Sequence, residues 1–154
     1  MLKFVDFDIV FQEIPDEVTL AINLSNCPHR CAGCHSPQLQ QNIGKELNES
    51  TLSDLLCRYE KSITCVCFMG GDATPDEVSR LADFVRQEWD RRIKTAWYSG
   101  CESLREKASA NSFDFIKLGP YIESLGGLNS KTTNQRLYRI ENDILNDITM
   151  LMKQ

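Results

Sequence analysis

Three thiols stand within eight residues in Cys27-Pro-His-Arg-Cys31-Ala-Gly-Cys34, spaced C-x3-C-x2-C. Asn26 and Pro28 interrupt regular structure there, so the segment is a tight loop able to wrap its sulfurs around one small metal centre. The next cysteine is Cys57, too far along the chain to belong to the same loop. Cysteine thiolates are the usual ligands of iron–sulfur clusters. Three of them on a four-iron cluster leave one iron without a protein ligand, and an open coordination position marks a catalytic rather than a structural metal. His29 and His35, the only two histidines, flank these cysteines. A zinc site of three cysteines and one histidine would use the same residue types.

The loop has to be carried by something rigid. Phe4 to Glu13 alternates in part and reads as a strand, Ile14-Pro15-Asp16-Glu17 as a turn, and Val18 to Leu24 as a second strand running straight into the cysteines. The metal loop is therefore expected at the C-terminal end of a strand, where α/β proteins place their chemistry. Ser36 to Glu46 is a polar connector. Leu52, Leu55, Leu56 and Tyr59 recur at helical spacing, predicting a helix capped by Ser50 or Thr51 and ending near Lys61. Ile63 to Met69 is a short apolar run of the kind buried on both faces of a sheet. A helix from Pro75 to about Asp90 follows, capped by Thr74 or Asp72 with Pro75 in its first turn. Lys94 to Tyr98 is the next strand, Glu102 to about Ala110 a short helix, and Phe113 to Leu118 another strand. Leu137 to Ile140 pairs with Ile144 to Met150 as a hairpin through Glu141-Asn142-Asp143, or else a helix runs from Asp143 to Met152.

Polar residues recur where these strands end. Gly70-Gly71-Asp72 follows the third strand. Its glycines would admit a ligand close to the backbone, and its carboxylate would accept from an ammonium group; the plainer reading is a turn. Ser99-Gly100 closes the next strand in a form suited to a polar ligand. Alternation of strand and helix with ligand-type residues at the strand ends argues for βαβ units and a mainly parallel sheet. A full (β/α) barrel takes about 250 residues, so this 154-residue chain is expected to form one domain, residues 1–154, built as an open partial barrel of α/β class.

The cysteine spacing resembles the signature of the radical S-adenosylmethionine (SAM) superfamily. That resemblance implies a [4Fe-4S] cluster held by Cys27, Cys31 and Cys34, with the free iron chelating the amino and carboxylate groups of SAM and one electron cleaving it to a 5′-deoxyadenosyl radical. Many members carry an aromatic residue where this chain has Gly33; the activase subgroup commonly has glycine there, and by the resemblance Gly33 counts among the cofactor-binding residues. By the same resemblance, Gly70, Gly71 and Asp72 contact the SAM amino group. The family often has glutamate at the third of these positions, so the acid here is one methylene shorter, and backbone carbonyls could take the role instead. Ser99 and Gly100 border SAM, and Lys117 either pairs with the SAM carboxylate or is a solvated lysine. Neither histidine need be a ligand; His29 would shape the loop or tune the cluster through a hydrogen bond to sulfur. The cysteine loop, Tyr98-Ser99-Gly100 and the segment DFIKLGPYIESLGGLNSKTTNQRLYRI resemble more narrowly the activating proteins of anaerobic ribonucleotide reductase, over nearly the whole chain. This implies a partner, the large catalytic subunit, from one of whose glycines hydrogen is taken, and a flavodoxin- or ferredoxin-type electron donor. Asn134 and Arg136 would serve partner recognition or tail anchoring. An activase of another glycyl-radical enzyme would share the core without the tail segment.

Composition fits a cytoplasmic protein. The formal net charge of −5 argues against a nucleic-acid partner. No run of eighteen apolar residues suggests a membrane span, and the N-terminus lacks the features of a signal peptide. Seven cysteines make an odd number for a disulfide framework. Cys57, Cys65, Cys67 and Cys101 are expected to pack in the core; Cys65 and Cys67, sharing one strand face, offer a weaker second metal site.

Overall fold

The computed structural model describes residues 2–29, 37–104 and 110–152. Eight strands form one sheet: β1 (Lys3–Val10), β2 (Thr19–Leu24), β3 (Lys45–Glu46), β4 (Cys65–Met69), β5 (Lys94–Tyr98), β6 (Phe115–Leu118), β7 (Arg136–Glu141) and β8 (Ile144–Asp147). Two helices, α1 (Glu49–Tyr59) and α2 (Pro75–Glu88), cross between the parallel strands. Spatial order is β3-β1-β2-β4-β5-β6-β7-β8. β2, β4, β5 and β6 are mutually parallel, while β1, β3, β7 and β8 add antiparallel flanks. Where the sequence suggested a mainly parallel sheet, the sheet is mixed. Its ends are a short pair and a hairpin, which need no crossover helix. Among the described residues the edge strands β3 and β8 do not meet, so the sheet is open.

The parallel strands are buried on both faces because each face has its own cover. On one, Leu20, Ile22, Val66, Phe68, Trp97 and Ile116 pack under Leu52, Leu56, Val78, Leu81 and Val85 of the two helices. On the other, Cys65, Cys67, Ala96, Phe115 and Leu137 lie beneath Ile14 and Leu128. The register across this second face is Ala21↔Cys67↔Ala96↔Phe115, then Asn23↔Met69↔Tyr98↔Lys117 one step nearer the C-terminal ends. Three small residues in the first row leave space above the sheet.

Several boundaries differ from expectation. Asn48, not Ser50 or Thr51, caps α1: its Oδ1 accepts from the Thr51 N–H at 2.9 Å. Thr74 stands at the α2 cap but its side chain makes no cap bond, and Pro75 supplies the preset first turn. The tail is the hairpin, turning through Asn142 (φ 50°) and Asp143 (φ 66°), the left-handed pair that matches strand twist. Part of the expected helix over 102–110 lies outside the described residues; 110–112 form one 3-10 turn. Among the described residues no helix is long and apolar enough to cross a membrane.

Candidate cluster site

Cys27 leaves the end of β2 through Asn26, whose φ of 59° turns the chain away from the sheet. Two backbone bonds to the connector fix that exit: Asn26 N–H donates to Gln41 O and Cys27 N–H to Leu39 O, both at 2.9 Å. The Cys27 sulfur is half-buried and touches the His29 carbonyl at 3.8 Å. Cys31, Gly33, Cys34 and His35 lie outside the described residues.

The neighbouring strand ends converge on one carboxylate. Asp72 is 1% exposed. Its Oδ1 accepts from Ser99 Oγ at 2.5 Å, and its Oδ2 accepts from the Gly100 N–H at 2.8 Å and meets His29 Nε2 at 2.9 Å. A carboxylate only accepts, so the imidazole nitrogen is the donor. Cys101 completes the group, its sulfur 3.8 Å from the same nitrogen. His29, Asp72 and Cys101 thus bring a nitrogen, an oxygen and a sulfur within 4.8 Å of one another, the one such grouping of ligand-type atoms among the described residues.

Gly70 and Gly71 are placed by packing. Trp97 Nε1 donates to the Gly70 carbonyl at 2.6 Å, and the Gly70 N–H donates to Tyr98 O at 3.0 Å. Gly71 has φ +86°, and a Cβ there would stand 2.6 Å from Val78 Cγ2 and 3.0 Å from Leu24 Cδ1. Only glycine passes between β2 and α2 at this point.

Lys117 is buried; its Nζ donates to the Gly119 carbonyl at 3.1 Å and sits 5.5 Å from the Tyr98 ring centre. It opens on a cavity of about 700 Å³, bordered also by Met69, Tyr98, Asn129, Gln135 and Phe11. The lining row Met69, Tyr98, Lys117 is level with Asn23, one residue before Leu24 ends β2. Cavity and Cys27 therefore share the same end of the sheet.

The structure brings Asp72, Ser99 and Gly100 together and sets Lys117 apart on the cavity side. Sequence reasoning did not find Trp97 as the anchor of the Gly70 turn or Cys101 as a neighbour of His29. The short separation of Cys101 from Ser99-Gly100 was the available signal. The four remaining cysteines divide. Cys65 and Cys67 are buried as expected, whereas Cys57 is exposed and Cys101 half-buried. Core packing is thus corrected for those two: Cys57 falls on the outer side of α1, and Cys101 on the rim of the site.

Burial pushes the Cys67 thiol well above its ordinary 9.0, helped by Cys65 and Glu13. Burial, then the negative charge of Glu17, raises Cys65 as well. Tyr98 is raised by burial and then by Cys67, and its hydroxyl donates to the Glu13 carbonyl. These acids stay protonated in the folded protein at a pH where the unfolded chain releases their protons. Their contribution is complete below about pH 9 for the two thiols and about pH 10 for Tyr98, and is lost as pH rises above those values, by up to about 1.4 kcal/mol per unit for each group. Urea midpoints should accordingly fall from about pH 9 to pH 10.5, with a shallower fall for Cys67→Ala. A flat profile would contradict this burial.

The family described as a 4Fe-4S single cluster domain matches residues 18–141, from the start of β2 to the end of β7. The chain belongs to this family. Searches of curated proteins and of solved structures gave no significant match. As a 4Fe-4S domain it is an iron–sulfur protein. Cysteine thiolates are the usual ligands of such a cluster; Cys27 stands three residues past the end of β2, and Cys31 and Cys34 follow it four and seven residues later in the sequence.

Proposed function

We propose that this 4Fe-4S domain is a radical SAM activase, which generates the glycyl radical of anaerobic ribonucleotide reductase. The observation that carries the reading is the C-x3-C-x2-C sequence that begins three residues past the end of parallel strand β2, within a matched single-cluster domain. Three cysteine ligands on a four-iron cluster would leave one iron open for the cofactor. The bound cluster and SAM together would supply the electron transfer and the radical that removes hydrogen from a glycine of the reductase's large subunit.

The chain's own residues have separable tasks. Cys27, Cys31 and Cys34 would hold the cluster, with Gly33 counted among the cofactor-binding residues. The cavity beside β4, β5 and β6 falls in the size range of ligand sites. Lys117, on its wall, offers an ammonium to the SAM carboxylate. The Asp72 carboxylate already accepts from Ser99, Gly100 and His29. We therefore give the SAM ammonium to backbone carbonyls of the Gly70–Asp72 turn, with Ser99 and Gly100 bordering the site through Asp72. The open sheet serves as the partial barrel of the radical SAM type, its unclosed side facing the partner. The tail segment from Asp114 to Ile140, similar to the reductase activases, favours that partner over another glycyl-radical enzyme. A flavodoxin or ferredoxin would deliver the electron.

The test is anaerobic. Protein reconstituted to about four irons per chain is reduced and given SAM, then mixed with the reductase large subunit. SAM cleavage and a glycyl-radical EPR doublet on the partner are expected. A loaded cluster that leaves SAM intact would overturn the proposal and leave an electron-transfer domain. Cleavage without the doublet, where another glycyl-radical enzyme gives it, would move the partner.

A further inference from the structure

We infer that His29 is a positioning residue for the cluster: its ring, bonded to Asp72 and laid over Gly100, fastens the cysteine loop to the ends of β4 and β5. The inference rests on Cys27, Cys31 and Cys34 being the cluster ligands, and it goes beyond that assignment by naming what holds them in place.

Two independent observations meet at the ring. The first is the hydrogen bond. Asp72 is held from its own side of the sheet by the Ser99 hydroxyl and the Gly100 N–H. Its Oδ2 also meets His29 Nε2, 43 residues away in sequence, at 2.9 Å. A buried carboxylate fixed by two donors is a rigid post, and a third donor bound to it inherits that rigidity. The second is steric. Gly100 is absent from the glycines with positive φ, so its backbone would accept any residue. What requires glycine is the imidazole: a Cβ at position 100 would lie 2.7 Å from His29 Cδ2 and 3.0 Å from Nε2. The ring therefore packs flush on the β5 end as well as bonding beside it.

The consequence for the ligands follows from chain geometry. His29 is two residues from Cys27, and successive Cα atoms are only 3.8 Å apart, so a fixed imidazole limits where the Cys27 sulfur can go. It also sits immediately before the stretch that carries Cys31. The backbone bonds of Asn26 and Cys27 on one side and this clamp on the other thus fix the chain on both sides of the Cys27 sulfur. Outer contacts that orient metal ligands typically affect metal retention by 10- to 100-fold.

The clamp also explains Asp72 without a cofactor. Were its carboxylate reserved for an ammonium group, Asp72 variants would act on SAM binding whatever stood at position 29. Acting through His29, they act on the cluster itself.

The test uses the cluster-loaded full chain and two readouts free of SAM: the rate at which a ferrous chelator strips iron, and the EPR spectrum of the reduced cluster. His29→Ala should speed iron loss about tenfold or more and change the spectrum. His29→Gln, whose amide nitrogen reaches about as far as Nε2, should restore both. Gly100→Ala, which displaces the ring, should mimic His29→Ala. Combined with His29→Ala, where the ring is gone and the new methyl has room, it should add almost nothing. Should His29→Ala fail to fold, the glutamine variant and Gly100→Ala still decide. Wild-type iron loss and spectrum in His29→Ala would overturn the clamp, as would a Gly100→Ala effect that adds in full to it. A wild-type protein that loads iron but does not cleave SAM would refute the activase and leave this test intact.

Discussion

Cys27→Ala is expected to empty the metal site while leaving the fold standing. Anaerobically reconstituted wild type should carry about four irons per chain, and the variant less than about one. A three-thiolate site has no spare ligand, and alanine offers no lone pair to the iron it would have to hold. The fold should survive because what places Cys27 is backbone. The Asn26 and Cys27 N–H bonds to Gln41 and Leu39 remain, and the large fully buried side chains belong to the sheet and the elements packed on it. Iron analysis paired with far-UV circular dichroism checks both halves. Full iron content in Cys27→Ala would remove Cys27 from the ligand set. Iron loss together with loss of helicity would mean that the cluster, not the sheet, organises this end of the molecule. Cys57→Ala is the matched control, since that thiol is exposed on α1 and should change neither quantity.

Much of the framework was legible because it is local. Cys65 to Met69 is an unbroken apolar run, and such runs occupy central parallel strands whose two faces are both covered. The period-two placement of Cys65 and Cys67 put them on one face in the sequence, and so they stand. Where several residues could do one job, local signals did not discriminate. Asn48, Ser50 and Thr51 are all capping types. Asn48 prevails because starting the helix there keeps Glu49 in the positive first turn and gives Thr51 N–H a partner. Long-range pairing was not legible at all. Gly-Gly-Asp and Ser-Gly each read as a strand end beside a ligand. That Asp72 spends its oxygens on Ser99, Gly100 and His29 depends on a register between β4 and β5 and on the return of the cysteine loop. Neither is encoded in the spacing of either motif.

Trp97 is where that register matters most to stability, and it carries the second large effect. The side chain is fully buried, stacks on Phe113 with ring centres 5.5 Å apart, and donates its indole N–H to the Gly70 carbonyl. Trp97→Ala opens a large cavity at the centre of the helix-covered face and should cost about 3–5 kcal/mol, a large share of the 5–15 kcal/mol typical of a whole domain. Trp97→Phe keeps most of the apolar volume but takes the donor from a carbonyl in a tight turn; about 1–3 kcal/mol is expected from that loss. The two costs separate packing from pinning. Midpoints of urea unfolding at constant slope give both numbers. The position of the pin adds a second consequence. Gly70 lies two residues before Asp72, so releasing its carbonyl loosens the turn that presents the carboxylate to His29. Trp97→Phe should therefore hasten iron loss in the same direction as His29→Ala, by less. If Trp97→Phe is as stable as wild type, the Gly70 carbonyl does not depend on the indole, and the link from core to cluster loop through this turn is broken.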